Sequence, residues 1–342
     1  MALAIVMTAS FAFAEDIVIG ESKELKSDTL DEVRPYKVYT PAHYNDERFP
    51  DQKYPVIYLL DGEKYFHAFS GIVSSSAGSN LPHIPEAIVV AIDNTNRSRD
   101  LTPSKAKMPF ESGGASKFES FIKDELMPSI NSEYRTLDYN ILVGHSFGGL
   151  FALNTLYTNS ELFNAYIVID PSLWWDEGKL LKGYLKDYSQ IKNKQRVYFA
   201  SANSFNLIDK PNPQLIAHYK AKGRFIDVVE KNLDKEFVFE SKVYEKDDHG
   251  SVVLPAFVHG LRSIFKGFSL NARELLKDQS ILKTNYDNFS NALGFEFKPQ
   301  AFYIDSLATM AKKRNNTKVA TVLDKVNQTY YPSNEYLKEK LK

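Results

Sequence analysis

The chain has 342 residues, of which 43% are hydrophobic and 25% are charged, a composition typical of a folded globular protein. Its 42 Lys and Arg residues balance 43 Asp and Glu residues, so nothing in the charge indicates a nucleic-acid partner or a polybasic membrane anchor. The absence of cysteine excludes thiol catalysis, Cys-based zinc sites and disulfide bonds.

The first residues have the pattern of a secretory signal. Residues 2–13 are apolar apart from Thr8 and Ser10, and Ala12-Phe13-Ala14 matches a small-residue cleavage site. The alternative is a buried N-terminal strand or helix. A mature transmembrane helix is excluded, because the apolar run is too short to span a bilayer. We predict a signal peptide over residues 1–14, no membrane insertion, and a periplasmic or secreted protein.

From residue 15 to residue 270, strand-like and helix-like segments alternate. Strands are predicted at 16–20, 35–39, 54–60, 87–92, 140–143, 165–169, 196–200 and 236–244, and helices at 117–134, 150–156, 179–191, 214–233 and 252–265. The first two strands suit an antiparallel edge, whereas the later apolar runs are typical of strands buried on both faces. This order predicts a mainly parallel mixed sheet with helices on both faces.

Polar or small residues follow six of these strands, and ligand sites in such sheets lie at the carboxyl ends of the strands. The six residues are Asp61, Asp93, Ser146, Asp170, Asn203 and His249. We therefore expect one site to collect side chains from several strand ends.

The segment Gly144-His145-Ser146-Phe147-Gly148 reads G-x-S-x-G between a predicted strand and a predicted helix. An ordinary tight turn also favours small residues, but the two flanks are those of a nucleophile elbow. The pattern predicts Ser146 as nucleophile and the Phe147 N–H as an oxyanion donor. His145 is interpreted as a packing residue. A second donor is expected after strand 54–60, at the Glu63 N–H.

The general base is predicted to be His249, because it follows a strand far downstream of the nucleophile. The acid is expected after strand 196–200, where Asp209 is the carboxylate within reach. The sequence leaves two arrangements open. Either Asp209 completes a triad, or Ser146 and His249 work as a dyad, with Asn203 or a backbone carbonyl orienting the imidazole.

Four further residues are candidates for substrate binding. Arg97 follows a strand end, where it would attract an anionic substrate or remain a solvated loop charge. Trp174 and Trp175 are predicted to stack on an aromatic or sugar ring, the alternative being that they cap the core. Asp170 is predicted to bind a polar substrate group, unless it only terminates its strand.

The character of the chain changes at about residue 271, after which helical segments alone are predicted. The segment 271–342 resembles a single degenerate tetratricopeptide-like repeat. One such unit cannot bury its own apolar face, so we expect it to pack on the main domain or on a partner. The domain division is therefore 1–14, 15–270 and 271–342, with the C-terminal helices as the candidate surface for a protein partner or for self-association.

With these residues in place, the chain resembles the putative esterase family of α/β hydrolases, and within it exported enzymes similar to enterobactin-type siderophore esterases. The matching blocks are YPVIYLLDGEKYF, IVVAIDNTNRSRDLTP, ILVGHSFGGLFAL, IDPSLWWD and DDHGSVV. The resemblance implies the same nucleophile, base and oxyanion turns, and an arginine near the substrate at Arg97. Many relatives carry a glutamate shortly after strand 196–200, where this chain reads ASANSF, and the position of Asp170 is often serine.

The expected function is hydrolysis of a small-molecule carboxylic ester through an acyl-enzyme, on siderophore lactones or acylated saccharides, without a metal or cofactor. Two rivals stay open from the sequence. An acyltransferase of the same fold would pass the acyl group to a sugar or alcohol instead of water. A non-catalytic binding or scaffold protein would use the helical tail for docking.

Overall fold

The computed structural model describes residues 16–78, 82–187, 195–203, 208, 210, 212–232 and 237–342. Within these ranges the strands are β1 (Glu21–Ser27), β2 (Glu32–Tyr39), β3 (Tyr54–Leu60), β4 (Ile88–Ile92), β5 (Thr136–His145), β6 (Ala165–Ile169), β7 (Arg196–Ala202) and β8 (Val238–Tyr244). They form one sheet in the order β1-β2-β4-β3-β5-β6-β7-β8. The β1–β2 and β2–β4 pairs are antiparallel and all later pairs are parallel, which confirms the predicted mixed sheet.

The helices of the main part of the chain are α1 (Gly62–Ala77), α2 (Arg97–Leu101), α3 (Ala115–Phe121), α4 (Met127–Glu133), α5 (Phe147–Thr158), α6 (Trp175–Lys186), α7 (Pro213–Lys231) and α8 (Val253–Ile264). A π-helical turn at Ile122–Leu126 joins α3 to α4. Among the helices of the described ranges, none combines the length and apolarity that crossing a bilayer requires.

The inner strands are buried on both faces, as their continuous apolar sequence predicts. Every residue of β3 is buried, and alternate side chains enter different apolar clusters because successive residues of a strand point to opposite faces. Ile57 and Leu59 join the cluster beneath α1 and α8, whereas Val56 and Tyr58 join the cluster beneath α3 to α7. The sheet is thus the middle layer of three.

The predicted strand at 16–20 is wrong. The edge strand begins only at Glu21, where it pairs with Val38 of β2, and Ile17 before it is 91% exposed. An edge strand with mostly solvated side chains, such as ESKELKS, has little hydrophobic signal in its sequence. After β4 the chain enters α2, whose N-cap is Asn96, with its side chain accepting from the Arg99 N–H.

The C-terminal segment is helical, as predicted, and comprises α9 (Ala272–Lys277), α10 (Ser280–Leu293), α11 (Ala301–Lys313), α12 (Thr317–Tyr330) and α13 (Glu335–Glu339). Its apolar side chains belong to the same cluster as α1 and α8, so it packs on the rest of the chain. Buried hydrogen bonds reinforce this contact. The Gln52 side-chain oxygen accepts from the Ala301 N–H at 2.8 Å and from the Tyr331 hydroxyl at 3.0 Å. The boundary at 271 and the tetratricopeptide-like character stay predictions.

Candidate active site

A sharp turn between β5 and α5 carries Ser146. Its backbone has φ 61° and ψ −114°, a strained conformation of the kind that concentrates at functional sites. The Ser146 N–H donates to the Ile169 carbonyl of β6 at 3.0 Å, which fixes the turn against the neighbouring strand. A Cβ added at Gly144 would lie 2.2 Å from the Gly148 carbonyl oxygen, so glycine is required there. The predicted elbow is therefore present.

The loop after β8 brings His249 to this serine, with Nε2 3.0 Å from the Ser146 Oγ. The same loop is held by His145, whose Nε2 donates to the His249 carbonyl at 2.7 Å. Burial and the nearby charge of His249 lower the pKa of His145 to about 4, so this ring is neutral and its Nδ1 accepts from the Tyr65 hydroxyl at 3.2 Å. His145 is thus more than a packing residue, because it positions the loop of His249.

Asp170 occupies the place of the acid. It follows β6 with φ 42°, is 1% exposed, and its Oδ2 lies 2.6 Å from His249 Nδ1. Its Oδ1 accepts from the Ala202 N–H at 2.8 Å. The prediction that Asp170 binds substrate is therefore wrong, since a buried carboxylate facing His249 has no surface left for a ligand.

The predicted acid, Asp209, lies outside the described residues. Asp209 is predicted to accept a hydrogen bond from His249 Nδ1, but this nitrogen faces Asp170 instead. Asn203, the alternative orienting group, donates its side-chain amide to Glu245. In the described part of the chain, the partner of the imidazole is thus a carboxylate one strand earlier than predicted.

A lysine and a histidine from α7 also approach Asp170. The Lys222 ammonium contacts Oδ1, and His218 Nε2 lies 3.4 Å from Oδ2. Burial alone would raise the pKa of Asp170. The hydrogen bonds from His218 and His249 and the charge of Lys222 outweigh burial and hold this pKa well below its ordinary range. The carboxylate therefore stays ionised at any pH near neutrality.

One set of side chains in the described ranges has the spacing of a metal site. It consists of Asp170, His218 and His249. The Lys222 ammonium is already in contact with the carboxylate, and it would repel a second cation. His249 is also engaged with the serine through Nε2. The arrangement fits a charge-paired triad better than a metal centre.

The two predicted oxyanion donors lie at the N-termini of helices that follow paired strands. Phe147 is the first residue of α5 and Glu63 the second residue of α1, and β3 is the parallel neighbour of β5. The first N–H groups of a helix have no intrahelical acceptor, and the helix dipole adds positive potential there. Their role as donors stays a prediction.

Arg97 is tied into the site by its neighbours. Its Nε and Nη2 donate to the Asp61 carboxylate at 2.5 and 2.9 Å, and Nη2 donates to the His145 carbonyl at 3.2 Å. Its guanidinium lies 5.5 Å from the centre of the Phe147 ring. Because its charge is paired, Arg97 would attract an anionic substrate less strongly than predicted, and its contact with substrate stays a prediction.

The two tryptophans have different environments. Trp175 is 2% exposed and its indole N–H donates to the Ser104 carbonyl at 3.1 Å, so its predicted stacking on substrate is wrong. Trp174 is 40% exposed, and its ring centre lies 6.0 Å from that of Phe147, the residue after the nucleophile. Phe110 is also exposed and stacks on Trp175. We call Phe110, Phe147 and Trp174 the aromatic ledge.

Comparison with known proteins identifies the family of this chain. The model of the putative esterase family matches residues 27–224. The chain belongs to the putative esterase family. This esterase is 31% identical to an IroE-like serine hydrolase from Shewanella oneidensis, whose crystal structure superposes with a TM-score of 0.81 over 91% of this chain and 99% of that one.

Two relatives of known activity are also similar to this esterase. The siderophore triacetylfusarinine C esterase of Aspergillus fumigatus is 28% identical over 269 residues, 69% of this chain and 90% of that protein. The ferri-bacillibactin esterase BesA of Bacillus subtilis is 32% identical over 152 residues, 39% of this chain and 53% of that protein. With the sheet order described above, these findings make the protein an ester hydrolase of the α/β-hydrolase fold.

Proposed function

We propose that this esterase hydrolyses carboxylic esters through an acyl-enzyme formed on Ser146, with His249 as the base and Asp170 as the acid that orients it. One observation carries the proposal. His249 lies between the other two residues, with Nε2 3.0 Å from the Ser146 Oγ and Nδ1 2.6 Å from Asp170 Oδ2. A serine, an imidazole and a carboxylate in this order are the parts that nucleophilic acyl transfer needs.

In the first step, Oγ of Ser146 bonds to the ester carbonyl carbon while His249 Nε2 takes the hydroxyl proton. Asp170 accepts the Nδ1–H bond, so Nε2 is the free lone pair and the imidazolium that forms is stabilised. The negative charge on the carbonyl oxygen is received by the N–H groups of Phe147 and Glu63. One such donor typically contributes about 3 kcal/mol to lowering the barrier.

The tetrahedral intermediate then expels the alcohol, which takes the proton from His249. Water enters, His249 removes its proton, and the hydroxide attacks the acyl carbon to release the carboxylic acid and regenerate Ser146. The His249 side chain is 46% exposed, so water reaches Nε2 directly. This access favours hydrolysis over acyl transfer, which depends on excluding water.

For the substrate class, we propose siderophore esters. The support comes from the relatives, which act on triacetylfusarinine C and ferri-bacillibactin, and from the aromatic ledge beside the nucleophile. An exposed Trp174 next to Phe147 offers a flat apolar surface for a ring or a large acyl group. The predicted signal peptide over residues 1–14 supports a periplasmic or secreted location.

The proposal is tested by labelling with a fluorophosphonate, which phosphonylates an activated serine and needs no knowledge of the substrate. Peptide mass spectrometry should find the adduct on Ser146, and heat-denatured protein should not react. In parallel, ferric siderophore lactones and acetylated oligosaccharides are incubated with the enzyme, with and without an acceptor alcohol. Absence of labelling in the folded protein would overturn the serine mechanism, and transfer to the alcohol as the main product would favour the acyltransferase.

Replacing Trp174 by alanine should raise KM for siderophore esters by roughly 5- to 10-fold, because stacking on an exposed indole contributes about 1 kcal/mol. The turnover of p-nitrophenyl acetate, which is too small to use the ledge, should change much less. Leu185 is a matched control, since it is similarly exposed (42%) but lies at the far end of α6. Equal effects of the two alanine variants on siderophore hydrolysis would remove the ledge from the substrate site.

A further inference from the structure

A lysine is buried behind the proposed triad. The Lys222 side chain, on α7, is 2% exposed, whereas Lys220 on the same helix is exposed. Its ammonium contacts Asp170 Oδ1 and donates to the Ala202 carbonyl at 3.1 Å. Burying an ammonium costs free energy unless it is paired, so these two acceptors are what stabilise the buried Lys222 side chain.

The catalytic cycle proposed above does not use this lysine. His249 engages only Oδ2 of Asp170, and Lys222 occupies the other oxygen. The Ala202 N–H also donates to Oδ1 at 2.8 Å, which would already hold the carboxylate in place. What Lys222 adds, beyond a hydrogen bond, is a positive charge against the carboxylate that faces the base.

We propose that Lys222 is a positioning residue whose ammonium fixes Asp170 and partly neutralises it, and so sets how far into the acidic range Ser146 stays reactive. The inference rests on the proposed function, because it assigns Asp170 and His249 their roles. It extends that function by making the working pH range a property of a buried ion pair.

The direction of the effect follows from the charges. A negative Asp170 stabilises the imidazolium of His249, and a positive Lys222 on the same carboxylate opposes that stabilisation. Burial lowers the pKa of Lys222, and the charge and hydrogen bond of Asp170 offset part of this shift. With the cation present, Ser146 should therefore stay reactive to lower pH. Without the cation, its reactivity should be lost at higher pH.

Other titratable or charged groups surround the triad and stay the same when Lys222 alone is changed. In the described ranges they are His145 from β5, His218 from α7, Asp248 from the His249 loop, Glu245 after β8, and the Asp61–Arg97 pair near the end of β3. Burial lowers the pKa of His218, with Asp170 offsetting part of the shift, so this ring is neutral at pH 7. A comparison of Lys222 variants therefore isolates one charge.

The experiment measures the rate of fluorophosphonate labelling of the whole chain from about pH 5 to pH 9, where the acid limb reports protonation of the base. In Lys222→Met, which keeps length but removes charge, the midpoint of the acid limb should rise by about one pH unit. Lys222→Arg, which keeps the charge, should retain the wild-type midpoint. Lys220→Met, the exposed control on the same helix, should also match the wild type.

A Lys222→Met enzyme that is labelled with the wild-type midpoint would overturn the inference, as would an equal shift in Lys222→Arg. If Lys222→Met is not recovered folded, Lys222→Gln takes its place, since it keeps a hydrogen-bond donor near Asp170 and Ala202 but removes the charge. Its midpoint should also rise, and a wild-type midpoint in Lys222→Gln would refute the role of the lysine charge. Failure of the proposed function is a separate result, in which the wild type is not labelled at any pH.

Discussion

Replacing Ser146 by alanine should lower the turnover of p-nitrophenyl esters by about 10⁵- to 10⁶-fold, the loss typical of removing a serine nucleophile. The Oγ is the atom 3.0 Å from His249 Nε2, and alanine leaves no group there that can form an acyl-enzyme. Some acceleration over water should remain, because the backbone N–H groups of the oxyanion site are unaffected. The measurement is kcat in a continuous spectrophotometric assay.

The fold should tolerate this change, since alanine keeps the Cβ and meets the same backbone strain as serine at φ 61°. An unchanged melting temperature would establish that the loss is chemical. Ser172 offers a matched control, because it is a second serine at the site, with its Oγ 3.3 Å from the Ser146 Oγ. The hydroxyl that His249 Nε2 contacts is that of Ser146. Ser172→Ala should still be labelled at position 146. Activity that survives in Ser146→Ala and is lost in Ser172→Ala would mean that the nucleophile is the other serine.

The elbow could be predicted from the sequence because its causes are local. A strand, two glycines around a serine and a helix lie within one short segment, and Gly144 must be glycine because a Cβ would strike the Gly148 carbonyl. The buried strands could also be predicted, since burial on both faces leaves a continuous apolar run such as Val56 to Leu60. The edge strand β1 could not, because it is set by pairing with β2 and not by its own composition.

The acid could not be predicted from chain order, because the usual order in this fold places it beyond β7. Asp170 stands at a strand end in the sequence, but its contact with His249 depends on the loop that returns after β8, 79 residues later. Its positive φ of 42° is a backbone conformation that aspartate accepts better than most residues. An Asp-Pro directly after a buried strand is thus the signal that the sequence offers for the acid.

The supporting residues had still weaker signals. Lys222 lies among charged residues of α7, and the sequence of that helix does not distinguish it from Lys220, which is exposed. The role of His145 could not be predicted, because its contacts with Tyr65 on one side and with the His249 carbonyl on the other join three distant segments. Such contacts depend on the assembled sheet, and no periodicity along the chain encodes them.

Replacing Asp170 by asparagine should lower kcat by about 10³- to 10⁴-fold while Ser146 and His249 remain in place. The reason lies in the donors on the other side of the carboxylate. The Ala202 N–H and the Lys222 ammonium both donate to Oδ1, so the amide oxygen of asparagine would take that position. Its NH₂ group would then face His249 Nδ1. The imidazole would have to carry its proton on Nε2, the tautomer that cannot accept a proton from the serine.

The matched variant is Asp209→Asn, which alters the acid predicted from sequence. It should keep kcat within a factor of about three, because Asp170 already lies beside His249 Nδ1, where an orienting acid is needed. Asp170→Asn also leaves a buried ammonium facing a neutral amide, so its melting temperature should fall and must be measured alongside the rate. Raising the pH should not restore the activity of Asp170→Asn within the neutral range, because the wrong tautomer is already neutral. A large loss in Asp209→Asn with near-normal turnover in Asp170→Asn would instead assign the acid to Asp209.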